Sequence, residues 1–225
     1  MRLKDIAVYA ACLNQKWIKS SLNINQTLTN FALILAAGKS TRMGICKTSL
    51  PWSAGRTLLT YQLEQWLSIG FTPLVVLGLH NIDCQKDCLF GSLTVINSYS
   101  HMGKTTSILA GLKHIPQNYE ILAISAVDQP RKAEIYQQLV KAHQDNLALI
   151  TAPTYENKMG HPILFANQMR SHLENIREET LGLRQIIQEF YSAINKVTFD
   201  DPTILLDINT PEQYRELGTG ETSQE

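Results

Sequence analysis

Apolar and polar positions along the chain follow two periods. Continuous apolar runs stand at residues 31–36, 73–78, 93–96, 121–126, 148–152, 163–165 and 204–208, each of a length suited to a buried strand. Between them, apolar residues recur at three and four spacing around residues 58–69, 107–115, 134–143 and 181–190, the period of amphipathic helices. Strand and helix patterns therefore alternate, which predicts an α/β domain with a mostly parallel, doubly wound sheet covered on both faces. No internal repeat or low-complexity linker interrupts the pattern, and a single domain over residues 31–217 is expected.

The two ends read differently. Residues 1–30 form an N-terminal extension in which residues 6–13 are apolar behind Arg2 and Lys4. Asp5 interrupts the basic start and no small-residue cleavage site follows, so secretion is not expected and a cytoplasmic location is. A short helix packed on the domain, or an over-long start of the reading frame, accounts for the stretch. The tail at 218–225 is expected to be disordered from its Gly, Thr, Ser and Glu content.

The first apolar run leads into the most distinctive segment, LAAGKSTRMGICK at residues 35–47. Gly38 and Gly44 let the backbone turn and approach a ligand, Ser40 and Thr41 carry hydroxyls, and Lys39, Arg42 and Lys47 supply positive charge. At the carboxyl end of a strand this suits phosphate. A solvated turn with ordinary surface cations is the plain alternative. The P-loop is excluded on spacing, because the first glycine it requires is Leu33 ahead of Gly38-Lys39-Ser40 and Ser98 ahead of Gly103-Lys104-Thr105. No GxGxxG follows the strand, so the Rossmann dinucleotide fingerprint is absent as well.

Composition narrows the partners. The 225 residues are 44% hydrophobic and 18% charged, with 20 basic and 20 acidic side chains, so no general attraction for nucleic acid or membrane is expected and the loop cations are local equipment. No segment approaches the ~20 apolar residues that span a bilayer. The cysteines Cys12, Cys46, Cys84 and Cys88 form no convincing zinc or disulfide pattern. Cys46 stands out because loop cations and backbone amides could lower its pKa. The histidines His80, His101, His114, His143 and His172 show no paired spacing and receive no metal role.

Asp128 directly follows the run at 121–126 and is expected at the sheet's carboxyl edge, either as a turn residue or facing a ligand. Asp207 and Asn209 precede a helix predicted to start near Pro211, where Asn209 or Thr210 would serve as its cap. Thr106 and Ser107 open a helix after Gly103, with capping as their ordinary role. His161, between Gly160 and Pro162, is a lone histidine before a strand.

Together these motifs resemble the molybdenum cofactor nucleotidyltransferase family, whose loop pattern LAAGxSxRMGxxK is matched at residues 35–47. Further matches are Leu50-Pro51-Trp52, Leu58-Leu59, Met102-Gly103 with 107–112, Asp128-Gln129-Pro130, Gly160-His161-Pro162 and Asp207-Ile208-Asn209-Thr210-Pro211. Ala36-Ala37 ahead of Gly38 is similar to the cytidylyltransferase branch. The resemblance implies a single-domain, Rossmann-like nucleotidyltransferase (GT-A-like) fold and transfer of CMP from CTP to the terminal phosphate of molybdenum cofactor, with release of pyrophosphate. It implies Mg²⁺ as cofactor, carried by Asp128 with Asp207 or Asn209, the latter standing where an aspartate is common in that branch. Catalysis would rest on Lys47, Arg42 and Asp128. Nucleotide contacts would come from Leu35, Ala36, Ala37, Gly38, Ser40, Arg42, Gly44, Lys47, Thr106 and Ser107, and acceptor contacts from Gly160 and His161. A molybdenum hydroxylase-type enzyme is an implied recipient. A guanylyltransferase using GTP, a sugar- or alditol-phosphate nucleotidyltransferase, and a non-catalytic cofactor carrier or chaperone are the alternatives.

Overall fold

The computed structural model of the protein describes residues 29–217. The extension through residue 28, with its apolar stretch at 6–13, and the tail at 218–225 lie outside the described residues. Eight strands form one sheet: β1 (Thr29–Leu35), β2 (Thr72–Gly78), β3 (Leu93–Asn97), β4 (Tyr119–Ala126), β5 (Ile150–Tyr155), β6 (Lys158–Met159), β7 (Ile163–Ala166) and β8 (Asn195–Thr198). Six helices accompany them: α1 (Leu58–Ser68), α2 (Lys104–Leu112), α3 (Ala133–Asp145), α4 (Arg170–Glu174), α5 (Leu183–Glu189) and α6 (Pro211–Glu216).

The strand order is β3-β2-β1-β4-β7-β5-β6, with β8 also paired to β5. β3, β2, β1 and β4 are mutually parallel, whereas β7 is antiparallel to both β4 and β5. β5 and β8 therefore run with β1, and the sheet is mostly parallel.

Strand alternation explains why both faces need cover. Phe31 and Leu33 of β1 join the core on one face with Ile108 and Leu112 of α2, Leu173 of α4 and Ile186 of α5. Ala32 and Ile34 point the other way, to Leu59, Leu63 and Trp66 of α1 and to Ile135, Tyr136 and Leu139 of α3. Leu33 and Ile34 are fully buried, each burial contributing about 1.5–3 kcal/mol. The central strand is thereby held from both sides, and its carboxyl end is a rigid platform.

Three expectations are corrected. The strand predicted at 204–208 is absent; that segment is a 3-10 turn, Pro202–Leu205, followed by extended chain. Pro202 opens the turn, the Asp201 carboxylate accepts the Thr203 N–H at 2.8 Å, and the apolar character is used to bury Ile204 and Ile208. Among the described residues the last strand is β8, ahead of that turn. The helix predicted from 181 starts at Leu183 instead, because Leu181 and Gly182 both take left-handed φ, 69° and 55°, which no α-helix tolerates. β1 begins at Thr29, inside the span assigned to the extension, with Asn30 Oδ1 accepting the Ile121 N–H at 3.0 Å.

Candidate active site

The chain leaves β1 for β2 on one side and later returns to β4 on the other, so the strand order reverses at β1. In open α/β sheets the crevice beyond the carboxyl ends at such a point is the ligand site. The segments after β1 and β4 flank it here.

The loop after β1 is shaped by specific contacts. Ser40 has φ 52° and Gly44 φ 71°, and the Ser40 carbonyl accepts the N–H groups of Met43 (2.9 Å) and Gly44 (3.2 Å). Gly44 meets a left-handed requirement that a side chain would strain. Gly38 does not: its φ is ordinary, and a Cβ there would meet nothing within 4 Å. Its lack of a side chain keeps the mouth of the crevice open. Met43 is buried with Leu50, Leu58 and Ile208, which anchors the loop from below. The turn after β2 supports it laterally. Asn81 Nδ2 donates to the Ala36 carbonyl at 2.9 Å, and a His80 ring nitrogen lies 3.2 Å from the Gly38 carbonyl.

Four polar side chains meet at the floor. Lys47 Nζ donates to Asp128 Oδ2 at 2.6 Å and to Asn209 Oδ1 at 3.0 Å, and Arg42 also donates to Asn209 Oδ1, at 3.3 Å. The Lys47 and Asp128 side chains are only 12% and 19% exposed, so the pair is poorly screened by water. Backbone pairing fixes the geometry. Val127 N–H bonds to the Leu35 carbonyl at 3.0 Å, and Ile208 N–H to the Asp128 carbonyl at 2.9 Å, which brings the segment before α6 against the one after β4. Thr210 and Gln213 form a capping box at the start of α6, with Pro211 in its first turn. Asn209 is thus set just ahead of a firmly capped helix. Asp207 has a different partner: Gln129 Nε2 donates to its Oδ1 at 2.8 Å, while Gln129 Oε1 accepts the Ala126 N–H at 2.9 Å.

The crevice is a cleft of about 510 Å³ that brings together Leu35, Ala36, Ala37, Gly38, Ser40, Arg42, Lys47, Ser107, Asp128 and Asn209. Gly44, Thr106, Asp207, Gly160 and His161 do not line it. Thr106 and Ser107 are instead held by Asn97 Nδ2, at 2.9 and 3.0 Å, which fixes the start of α2 beside the cleft. Lys104, Ser100 and His101 line it without having been expected. Lysines and arginines on the wall are Lys39, Arg42, Lys47 and Lys104, against Asp128 as the lone carboxylate. Four positive charges against one negative, over parallel strand ends, give the cleft a field suited to an anion.

Gly160 and His161 occupy a neighbouring region. A Cβ on Gly160 would lie 2.2 Å from the Ile204 carbonyl oxygen, so glycine is demanded there by packing. His161 Nδ1 is buried with no partner. Burial pushes the imidazole pKa below its ordinary value, with Asp207 working against that shift and Arg131 and Lys104 reinforcing it.

Cys46 has a lowered pKa, for a different reason from the one expected. Burial acts to raise it, but hydrogen bonds with the Thr48 side chain and backbone, Asn81 and Cys84 together outweigh burial. The loop cations are not the cause.

Comparison with known proteins identifies the family and the fold. The model of the MobA-like NTP transferase domain matches residues 32–195. The molybdenum cofactor cytidylyltransferase of Escherichia coli K12 is 26% identical over 191 residues, covering 81% of this chain and 92% of that protein. Rv0371c of Mycobacterium tuberculosis H37Rv superposes with a TM-score of 0.71 at 22% identity, covering 85% of this chain and 98% of that one. A structure of Rv0371c in complex with manganese superposes at 0.67, with 20% identity and coverage of 84% and 97%. These two structures attest the fold, and the domain match covers both the loop after β1 and the segment after β4. The chain belongs to the MobA-like NTP transferase family and is a nucleotidyltransferase.

Proposed function

We propose that the protein transfers CMP from CTP to the terminal phosphate of molybdenum cofactor, releasing pyrophosphate with the help of Mg²⁺. The observation that carries the reading is the meeting of Lys47, Asp128 and Asn209 at the floor of a cationic cleft. The choice of CTP and of the acceptor is supported by the E. coli relative, named as a molybdenum cofactor cytidylyltransferase.

The residues present fit a hard divalent cation. Asp128 Oδ2 and Asn209 Oδ1 both face Lys47 Nζ, and Mg²⁺ is commonly held by one or two protein oxygens together with substrate phosphates and water. Asn209 is the better-placed second ligand, since Asp207 is engaged by Gln129. The manganese complex of Rv0371c, a fold neighbour, is consistent with such a cation. When bound, the ion would neutralise charge on the phosphates. Lys47 leaves the carboxylate and turns to the α-phosphate, where charge grows as the phosphorus becomes five-coordinate. Arg42 and the loop N–H groups hold the departing β- and γ-phosphates. The acceptor phosphate is already an anion, so no general base is needed, and catalysis rests on positioning and charge. Gly160 and His161 lie outside the lining of this cleft, and their assignment to the acceptor rests on the family resemblance alone.

A thermal-shift panel of CTP, GTP, ATP and UTP with Mg²⁺ tests the donor. A ligand at a hundred times its Kd stabilises by about 2.7 kcal/mol, so CTP should give the largest rise in Tm. A larger rise with GTP would reassign the donor and leave the fold untouched.

A further inference from the structure

Behind the phosphate loop, Cys46 Sγ and Cys84 Sγ lie 3.9 Å apart. Cys46 directly precedes Lys47, at the start of the turn Lys47–Ser49, while Cys84 sits on the turn Leu79–Asp87 after β2. Thr48 Oγ1 is 2.8 Å from Cys46 Sγ and donates to Cys84 Sγ at 2.9 Å. Ser49 Oγ is 3.3 Å from Cys84 Sγ, and Asn81 Nδ2 is 3.7 Å from Cys46 Sγ. A hydroxyl has one proton: Thr48 gives it to Cys84 in the dithiol and can turn it to Cys46 once that thiol is ionised, so the two sulfurs share one donor.

Their environments differ in the way a dithiol pair requires. Cys46 is half-buried and lines the cleft, within reach of a small molecule. Cys84 is 6% exposed and open chiefly to its neighbour. Hydrogen bonding outweighs burial at Cys46 and favours its thiolate, whereas burial pushes the Cys88 thiol up.

We propose that Cys46 and Cys84 form a reversible intramolecular disulfide when a low-molecular-weight disulfide enters the cleft, and that this bond switches the phosphate loop off. The Cys46 thiolate attacks one sulfur of the small disulfide, whose S–S bond breaks; a mixed disulfide forms and one small thiol leaves, taking up the proton Cys46 had lost. Cys84 then attacks the Cys46 sulfur, and the second small thiol leaves with the Cys84 proton. Two protein thiols are oxidised, and one disulfide is reduced to two thiols. A disulfide spans about 2.05 Å, so the sulfurs must close roughly half their present separation. Asn81, which donates to Ala36 and accepts from Gly78, braces the Cys84 side, so much of the shift falls on Cys46 and on its neighbour Lys47. The loss of activity, though not the bond itself, rests on the role of Lys47 proposed above. A misplacement of about 1 Å at such a group costs on the order of 10²-fold in rate.

The full chain is equilibrated with glutathione disulfide, alkylated, digested and mapped by mass spectrometry. The expected product is a Cys46–Cys84 peptide on a chain lighter by two hydrogens, reversed by dithiothreitol. It should be lost in Cys46→Ser and Cys84→Ser and kept in Cys88→Ser. Glutathione retained on Cys46, any linkage involving Cys12 or Cys88, or thiols left free would overturn the proposal. In the same samples nucleotidyl transfer by the wild type should fall about 10²-fold and recover on reduction, while Cys46→Ser keeps its own reduced rate. A linked chain that retains full turnover would overturn the switch. Because the linkage is read without any nucleotide, it stands or falls separately from the choice of CTP.

Discussion

Replacing Lys47 with alanine separates its two roles. In the free protein Lys47 occupies the space between Asp128 Oδ2 and Asn209 Oδ1, at 2.6 and 3.0 Å; in the proposed reaction it would meet charge on the α-phosphate. Exposed ion pairs contribute about 0–1 kcal/mol, and breaking a buried one costs about 3–5 kcal/mol. With side chains 12% and 19% exposed, this pair falls between, at about 1–2 kcal/mol. Lys47→Ala should therefore still fold, with Tm lowered by a few degrees. With the cation placed at Asp128 as proposed, the same free energy would oppose it in the wild type, because the ammonium would have to be displaced first. Without nucleotide, the variant should bind Mg²⁺ or Mn²⁺ roughly 5- to 30-fold more tightly. Its turnover should nonetheless fall by about 10²–10³, the scale for losing one preorganised electrostatic contact. Mn²⁺ titration by electron paramagnetic resonance and single-turnover kinetics read the two effects separately. Unchanged metal affinity with near wild-type turnover would refute both the placement of the cation at Asp128 and the catalytic role of Lys47.

Other perturbations probe the rest of the site. Arg42→Ala should weaken nucleotide binding as well as rate, because the β- and γ-phosphates are charged before reaction, and calorimetric titration with CTP shows whether affinity falls. Asp128→Asn should still fold, with a loss of stability like that of Lys47→Ala because the ammonium loses its carboxylate, yet lose most Mg²⁺-dependent turnover, and a near-normal rate would reduce Asp128 to a turn residue. Gly160→Ala should destabilise the fold by about 1–3 kcal/mol through overpacking, since its Cβ would sit 2.2 Å from the Ile204 carbonyl; an unchanged urea midpoint would contradict this. Burial holds the His143 pKa down at about 4, against 6.5 for the free side chain. The unfolded chain takes up that proton first, so stability from this residue is complete above pH 6.5 and is lost as pH falls toward about 4. The urea midpoint of His143→Gln should accordingly decline less over that interval than that of the wild type.

The central strands were legible because they are buried on both faces, which writes them as unbroken apolar runs; β1, β2 and β4 fall within two residues of the expected bounds. β8 was not legible. Its sequence Asn-Lys-Val-Thr is half exposed and carries no apolar run, whereas residues 204–208 do carry one and spend it on burying Ile204 and Ile208. The reversed direction of β7 is set by its antiparallel pairing with β4 and β5, which its own four residues do not encode. At the site, the loop was recognisable from composition and spacing alone. The pairing of Lys47 with Asp128 joins residues 81 positions apart and follows only from the strand order. Asn81 and His80 escaped notice as loop supports, although their place just beyond β2, at the same sheet edge, was a usable signal. Lys104 was visible in the Gly103-Lys104-Thr105 fragment and passed over once the P-loop spacing failed. Cys46 shows the converse: its lowered pKa was foreseen, but the groups responsible come from Thr48, Asn81 and Cys84 and not from the loop cations.

Transfer of a nucleoside monophosphate from CTP to a pterin phosphate is the function proposed for this cleft. It is tested most directly by incubating the protein with Mg²⁺, molybdenum cofactor and CTP labelled at the α-phosphorus, then following the label chromatographically. Label is expected on the acceptor, with one pyrophosphate released for each transfer and little transfer from GTP under the same conditions. Label remaining in CTP while GTP supports transfer, or no transfer from either nucleotide, would contradict it.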